Sequence, residues 1–283
     1  MANSYSNELE FITNTIKDAY ASCTDTISAK FSGADSDTIF ESDSFCMDKS
    51  SFDIVTTLDF NIEKFIIEKI HKTYHDDMIL SEETMPDTTI NNEKSEAKSE
   101  NLPSVRTWTI DPIDGTFNMA AGMPLYGVQC SMFENGESVI AAIYLPVLNE
   151  IYTAAKDGGA YLNGNKIHTH FTSLDKSIVS FGDFPHSRPD DISDERIIMN
   201  ELYNHIARVR MFGAASIDFA YLASGKTQGT VIFTRNKWDI SPGILLCKEA
   251  GAIVIGEKGD YTPESRYVIA VADKQLVTVL PAI

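Results

Sequence analysis

Residues 108 to 119 read WTIDPIDGTFNM, and the chemistry of the chain starts there. A β-type apolar run delivers Asp111 and Asp114, with Pro112 between them and Gly115 and Thr116 directly after. Two carboxylates converging about 4 Å apart repel by about 4 kcal/mol at an effective dielectric of about 20. A divalent cation removes that cost. No histidine or cysteine stands nearby, and oxygen-only donors favour Mg²⁺, with Mn²⁺ as a substitute, over zinc. Pro112 has no backbone N–H and restricts its neighbours, which leaves the Ile113 carbonyl available to the same ion. Gly115 permits a tight turn, and Thr116 opens the next segment with its amide and hydroxyl toward the site.

In a chain with 41 acidic residues, such a pair standing alone is an ordinary solvated turn. Three further acids occupy comparable settings: Asp59 in VTTLD, Glu82 in LSEET after a short apolar run, and Asp239 in KWDISPG. Taken singly, Asp59 and Asp239 read as helix caps and Glu82 as surface charge.

These acids need elements to position them. Leu9, Ile12, Ile16, Cys23 and Ile27 recur at helical spacing and predict a helix within residues 6 to 30. TLDFNIEKFIIEKIHK predicts a second, with Asp59 in its first turn. Residues 86 to 104 are charged and serine-rich and read as an exposed loop. Then LYGVQCSMF, SVIAAIYL, GAYLN and KIHTH, punctuated by Asn135-Gly136 and Asn163-Gly164, predict an antiparallel sheet. After about Ser177, helical patterns at 192 to 207, 215 to 225 and 239 to 250 alternate with short strands near IVSF, RVRMF, GTVIF, AIVIG and YVIAVA. The expected division is an N-terminal α+β part over residues 1–176, carrying most of the acids, and a C-terminal α/β part over residues 177–283.

With 283 residues, 43% of them hydrophobic, the chain can bury a substantial core. A net charge of −18 argues against nucleic acid and anionic membranes as partners. Four well-separated cysteines, no long apolar run and the polar start MANSYSNELE predict a protein of the reducing cytoplasm with no signal segment.

Taken in order, VTxxD, SEE, WxIDPIDGT and WD followed by a helix ending in EAG, the chain from about Lys49 onward resembles the inositol monophosphatase family of magnesium-dependent, lithium-sensitive phosphatases. The resemblance implies a layered αβαβα sandwich, commonly a homodimer, that hydrolyses a small phosphate monoester with two or three Mg²⁺ ions. It implies that Glu82, Asp111 and the Ile113 carbonyl hold one ion, and that Asp111, Asp114 and Asp239 hold a second. Thr116 and Asp59 would orient and deprotonate the attacking water, with Glu82 completing the catalytic set. Substrate contacts fall on Asp114, Gly115, Thr116, Asp239 and the segment Gly213-Ala214-Ala215, and Lys49 matches a lysine near the metals.

Departures from the family pattern bear on substrate. SEE replaces GEE, and one residue fewer separates Lys49 from Asp53. The acid that contacts inositol several residues before WD falls here on Ile232, whereas Arg235 and Lys237 bring positive charge. A substrate more anionic than inositol phosphate is expected on that basis.

Two rivals differ in kind. A phosphatase with an aspartate nucleophile uses D-x-D-G-T, with one residue between the acids; here two intervene, one of them Pro112. A non-catalytic acidic metal-binding protein is the other, although no loop matches the calcium pattern. SGKT at 224 to 227 lacks the first glycine of a P-loop and reads as a helix end and turn. His71 and His75 read as solvated helix surface, and His168 and His170 as alternate positions of a strand.

Overall fold

A computed structural model describes residues 4–23, 46–50, 53–83, 106–184, 189–234 and 236–281; for Lys49 only the backbone is described. Helix α1 (Ser6–Ser22) turns Ile12, Ile16 and Ala19 inward at the predicted spacing. Strands β1 (Cys46–Ser50) and β2 (Asp53–Thr56) pair antiparallel and lead into α2 (Thr57–Thr73). That helix starts where it does because Thr56 and Asp59 form a capping box. The Thr56 hydroxyl accepts the Leu58 amide at 3.2 Å, and Asp59 Oδ2 accepts the Thr56 amide at 2.9 Å. Ile62, Ile66 and Ile70 are fully buried along its inner face.

Strand β3 (Met78–Ser81) runs parallel to β4 (Thr107–Asp114). The short helix α3 (Thr116–Ala120) follows, and then an antiparallel meander: β5 (Gly127–Glu134), β6 (Glu137–Leu145), β7 (Glu150–Ala155), β8 (Gly159–Leu162) and β9 (Asn165–Ile167). Both predicted Asn-Gly turns are present, with positive φ at Asn135, Gly136, Asn163 and Gly164, the geometry that a two-residue hairpin loop requires. Strand β7 is an addition to the predicted set, because EIYTAA carries no long apolar run. His168 and His170 lie beyond β9 rather than along a strand, and α2 stops at Thr73, so His71 and His75 do not share a helix face.

The second sheet holds β10 (Ile178–Phe181), β11 (Arg208–Met211), β12 (Gly229–Ile232), β13 (Ile253–Gly256), β14 (Gly259–Asp260) and β15 (Val268–Val271), in the order β11-β10-β12-β15-β13-β14. It is mixed: β11, β10 and β12 are parallel, and the remaining neighbours antiparallel. Four helices accompany it: α4 (Pro189–Tyr203), α5 (Ala215–Ala223), α6 (Lys237–Glu249) and α7 (Lys274–Thr278). Helix α5 ends at SGKT in a turn through Gly225, as expected.

Three cores fix a five-layer αβαβα stack. Helices α1 and α2 cover one face of the first sheet, α5 and α6 fill the space between the sheets, and α4 and α7 cover the far face of the second. Strand β6 shows how the sequence encodes this. Ile140 and Ala142 face the first core while Ala141, Ile143 and Leu145 face the second, so SVIAAIYL is apolar throughout rather than alternating. The same division places Val231, Ile269 and Val271 in the third core, and Ile232, Val268 and Ala270 in the second.

Candidate active site

Asp111 and Asp114 are three residues apart, so in a regular strand they would point to opposite faces. Strand β4 solves this with a bulge. Asp111 stands opposite Gln129 and Asp114 opposite Gly127, so three steps on β4 are matched by two on β5. Ile110 and Ile113 consequently both pack into the first core, and the two aspartates both turn toward the helices between the sheets. Pro112, which has no amide to lose, sits inside the bulge. Gly115 follows with φ +92°, and a Cβ there would stand 2.9 Å from Ala214 Cβ, so only glycine serves.

The other acids arrive from three directions. Glu82 directly follows β3, and its amide donates to the Ile110 carbonyl at 3.2 Å, extending the parallel pairing to the level of Asp111. Asp239 stands in the first turn of α6, whose preceding residue, Asn236, provides no side-chain cap. Asp239 is not a cap either; its Oδ2 accepts the Thr234 hydroxyl at 3.0 Å. Asp59 does cap α2, and its second oxygen also accepts the Thr116 hydroxyl at 3.2 Å. The capping and catalytic readings of Asp59 are therefore compatible, one for each oxygen. Thr116 Oγ1 also lies 2.9 Å from the Ile113 carbonyl, which is thus partly engaged rather than wholly free as expected.

Asp114 ties the two sheets' elements together. Its oxygens accept the amides of Ala215 and Ser216, the first two of α5, whose preceding residue, Ala214, has no side chain to cap with. Gly213 reaches this spot with φ +71° because Asn118 crowds it: a Cβ would meet Asn118 Nδ2 at 3.0 Å. The Asn118 amide in turn donates to the Leu125 and Phe212 carbonyls, both at 2.7 Å, pinning the two loops together.

The electrostatics are unfavourable in a revealing way. Burial raises the pKa of Asp59 to about 6, against its hydrogen bonds from Thr56, and the charge of Glu82 adds to the rise. Burial likewise lifts Asp114 to about 6 despite the Ser216 and Ala215 contacts. Asp111 is pushed well above the carboxylate range by burial and by Glu82, Asp114 and Asp239, and Asp239 by burial, Glu82 and Asp114. Asp111 is only 2% exposed and its Oδ1 has no hydrogen-bond partner. An oxygen-only set of desolvated, mutually repelling carboxylates with an orphaned lone pair fits a hard divalent cation. Among the described residues no three acids already stand as a closed cage.

Beside Asp114 and Asp239 opens a cavity of about 340 Å³, lined by Gly182, Asp183, Gly213, Ala214, Ala215, Ile232, Phe233 and Thr234. The expected segment Gly213-Ala214-Ala215 thus borders it. Lys237 does not: it lines a separate cavity with Phe133, Ser241 and Tyr261. Arg235 lies outside the described residues, as do residues 86 to 104. Gln129, Asn118, Thr234 and Asp183 were missed from sequence. Gln129 is fully buried and its amide bridges Asp111 Oδ2 at 3.3 Å and the Asp239 carbonyl at 3.0 Å, a role visible only once the β4–β5 register is known.

Cys23, Cys130 and Cys247 are free and buried, and among the described residues no helix is long and apolar enough to cross a membrane. The model of the inositol monophosphatase family matches residues 8–282. Nus factor SuhB of Escherichia coli K12 is 32% identical over 222 residues, covering 78% of this chain and 77% of that protein. A Thermotoga maritima protein named fructose-1,6-bisphosphatase/inositol-1-monophosphatase is 31% identical over 208 residues, 73% of each chain. An IMPase structure from Thermotoga maritima superposes with a TM-score of 0.68 at 29% identity, covering 83% of this chain and 86% of that one. The SuhB structure from Bartonella henselae reaches 0.80 over 97% of both chains at 23% identity, which shows the shared fold. Sequence motif, layer order and relatives converge: the chain belongs to the inositol monophosphatase family.

Proposed function

We propose that this protein is a Mg²⁺-dependent phosphatase that hydrolyses a small phosphate monoester by direct attack of water. The observation that carries the reading is the β4 bulge, which turns Asp111 and Asp114 to one face beside Glu82 and Asp239, with the Thr116–Asp59 pair adjoining. Glu82, Asp111 and the Ile113 carbonyl would hold one ion, and Asp111, Asp114 and Asp239 a second. Bound there, the ions supply charge neutralisation and Lewis-acid activation of water.

The chain's own groups do the rest. Thr116 would take the proton of the attacking water as it passes its own to Asp59 Oδ1; the 3.2 Å hydrogen bond between them supports this. Asp59 can accept it because the Thr56 contacts fall on the other oxygen. The amides of Gly115 and Thr116 are candidates for phosphate oxygens, whereas those of Ala215 and Ser216 are already taken by Asp114. The name of the Escherichia coli relative offers a second reading, a regulatory role without hydrolysis. The Thr116–Asp59 relay and the uncompensated acid cluster favour hydrolysis, since neither serves a regulatory surface.

Phosphate release from inositol 1-phosphate and p-nitrophenyl phosphate tests the proposal. Turnover should require Mg²⁺, stop with EDTA, weaken with Li⁺ and leave no acid-stable phosphoenzyme. Turnover that survives chelation, or a trapped aspartyl phosphate, would transfer the assignment to the nucleophilic rival.

A further inference from the structure

Asp111 and Asp239 come from different elements, a strand of the first sheet and a helix between the sheets, and a single side chain joins them. Gln129 stands opposite Asp111 in the β4–β5 register. Its neighbours Val128 and Cys130 pack into the first core, so the alternation of the strand turns Gln129 to the other face, toward α6, where it is fully buried. Its amide nitrogen donates to Asp111 Oδ2 at 3.3 Å and to the Asp239 carbonyl at 3.0 Å. Both partners are acceptors, which fixes the NH₂ end of the side chain toward them. The arrangement has a cost: Gln129 Oε1 is buried without a hydrogen-bond partner, a loss that an apolar residue of the same length would avoid.

The two bonds remedy different weaknesses. At Asp111 the engaged oxygen holds the carboxylate in one orientation and leaves Oδ1, which has no partner, open to an ion. At Asp239 the bond secures a helix turn that is short of its own: Pro242 lies inside α6 and has no amide, so the Trp238 carbonyl loses its helical donor, and Gln129 holds the next carbonyl along. A lysine in this place would hold Asp111 too, but as an ion pair that cancels the charge a divalent cation needs. Resting on the phosphatase reading above, we infer that Gln129 is a positioning residue for the metal: by bridging Asp111 and Asp239 it sets the spacing of two ligands, and with it the affinity of the site for divalent ions. Gln129 does not border the cavity beside Asp114 and Asp239, so its effect falls on metal rather than on substrate.

The test compares the parent protein with Gln129→Met, which keeps the length and loses the donor, and Gln129→Asn, which keeps the donor and loses the reach. Calorimetry gives the Mn²⁺ dissociation constant, melts in EDTA report folding, and p-nitrophenyl phosphate hydrolysis is followed as Mg²⁺ is titrated. Gln129→Met should stay folded in EDTA and bind Mn²⁺ about 10- to 100-fold more weakly. It should need correspondingly more Mg²⁺, yet at saturation reach a kcat within about threefold of parental with the substrate KM unchanged. Gln129→Asn should also bind Mn²⁺ more weakly, because the shorter side chain cannot span both acceptors. A side chain that merely fills space predicts a silent Gln129→Met and a damaging Gln129→Asn. Parental Mn²⁺ affinity in Gln129→Met therefore overturns the inference, as does a risen substrate KM with Mn²⁺ affinity intact. If Gln129→Met does not fold, Gln129→Asn decides: weakened Mn²⁺ binding by the folded variant supports the inference, and parental binding overturns it. A parent that binds Mn²⁺ and hydrolyses the ester leaves the phosphatase reading standing in either case; a parent that does neither removes both.

Discussion

Two sets of acids in this molecule are treated in opposite ways. Asp191, Asp194 and Glu257 all pair with Arg266, at 3.0, 2.9 and 2.9 Å, and Asp77 is matched by Arg106 and the Trp108 ring N–H. Those acids lock α4 and the start of β4 in place, and each has its cation built in. Around the candidate site, Asp59, Asp111, Asp114 and Asp239 receive hydroxyls and amides, and among the described residues no lysine or arginine pairs with them. Among the described residues, the acids of the first set carry their counter-charge and those that converge on the cavity do not. The contrast favours the proposed site at the second set, because leaving buried carboxylates uncompensated costs stability.

Substitutions should break the contrast unequally. Asp111→Asn should lower kcat by about 10³-fold or more while the protein stays folded, since Gln129 can still donate to the remaining oxygen. Asp114→Asn should be equally inactive and also less stable by about 1–3 kcal/mol, because its new NH₂ group would face an α5 amide. Steady-state kinetics and thermal melts of both variants separate the two effects, and near-parental turnover of Asp111→Asn would contradict the assignment. Thr116→Val should come next, losing about 10²-fold in kcat with little change in KM, as expected for a group that handles a proton rather than binds.

A pH series sharpens the same comparison through stability. The folded-state pKa of Asp59 is about 6, above its unfolded value of about 4, so the folded protein holds the extra proton between them. Without metal, stability should therefore fall as pH rises from about 4 to about 6 and level off beyond, by on the order of 3 kcal/mol for Asp59. Mg²⁺ should restore it above pH 6 and have little effect near pH 4.5, read as Tm with Mg²⁺ against EDTA. A Mg²⁺ effect that is equal at both pH values would contradict this linkage. The smallest effect on activity is expected at the other acid set: Arg266→Met should lower Tm by a few degrees yet leave kcat within about twofold.

How much of this was legible in the sequence depends on how local each feature is. The Asp111-Asp114 pair, the Asn-Gly turns and the helix starts at Asp59 and Asp239 sit within a few residues of their own causes, and all were readable. Glu82 was readable as a motif, but its place beside Asp111 depends on the parallel pairing of β3 with β4, a contact between distant segments. Gln129 was invisible because its role follows from the β4–β5 register, and Asp183 because it follows from two parallel strands ending together. Lys237 lines a cavity apart from Asp239 for a simple geometric reason. It precedes Asp239 by two residues on a helix, a rotation of about 200°, so the two side chains cannot share a face.

The most direct test of the central claim is to grow crystals, soak them in Mn²⁺ and collect data for anomalous difference density. The account predicts density enclosed by Glu82, Asp111, Asp114 and Asp239, with the carboxylates drawn together around it, and its loss in Asp111→Asn crystals. Ions found only at other surface acids, with Asp111 and Asp239 left apart, would contradict it.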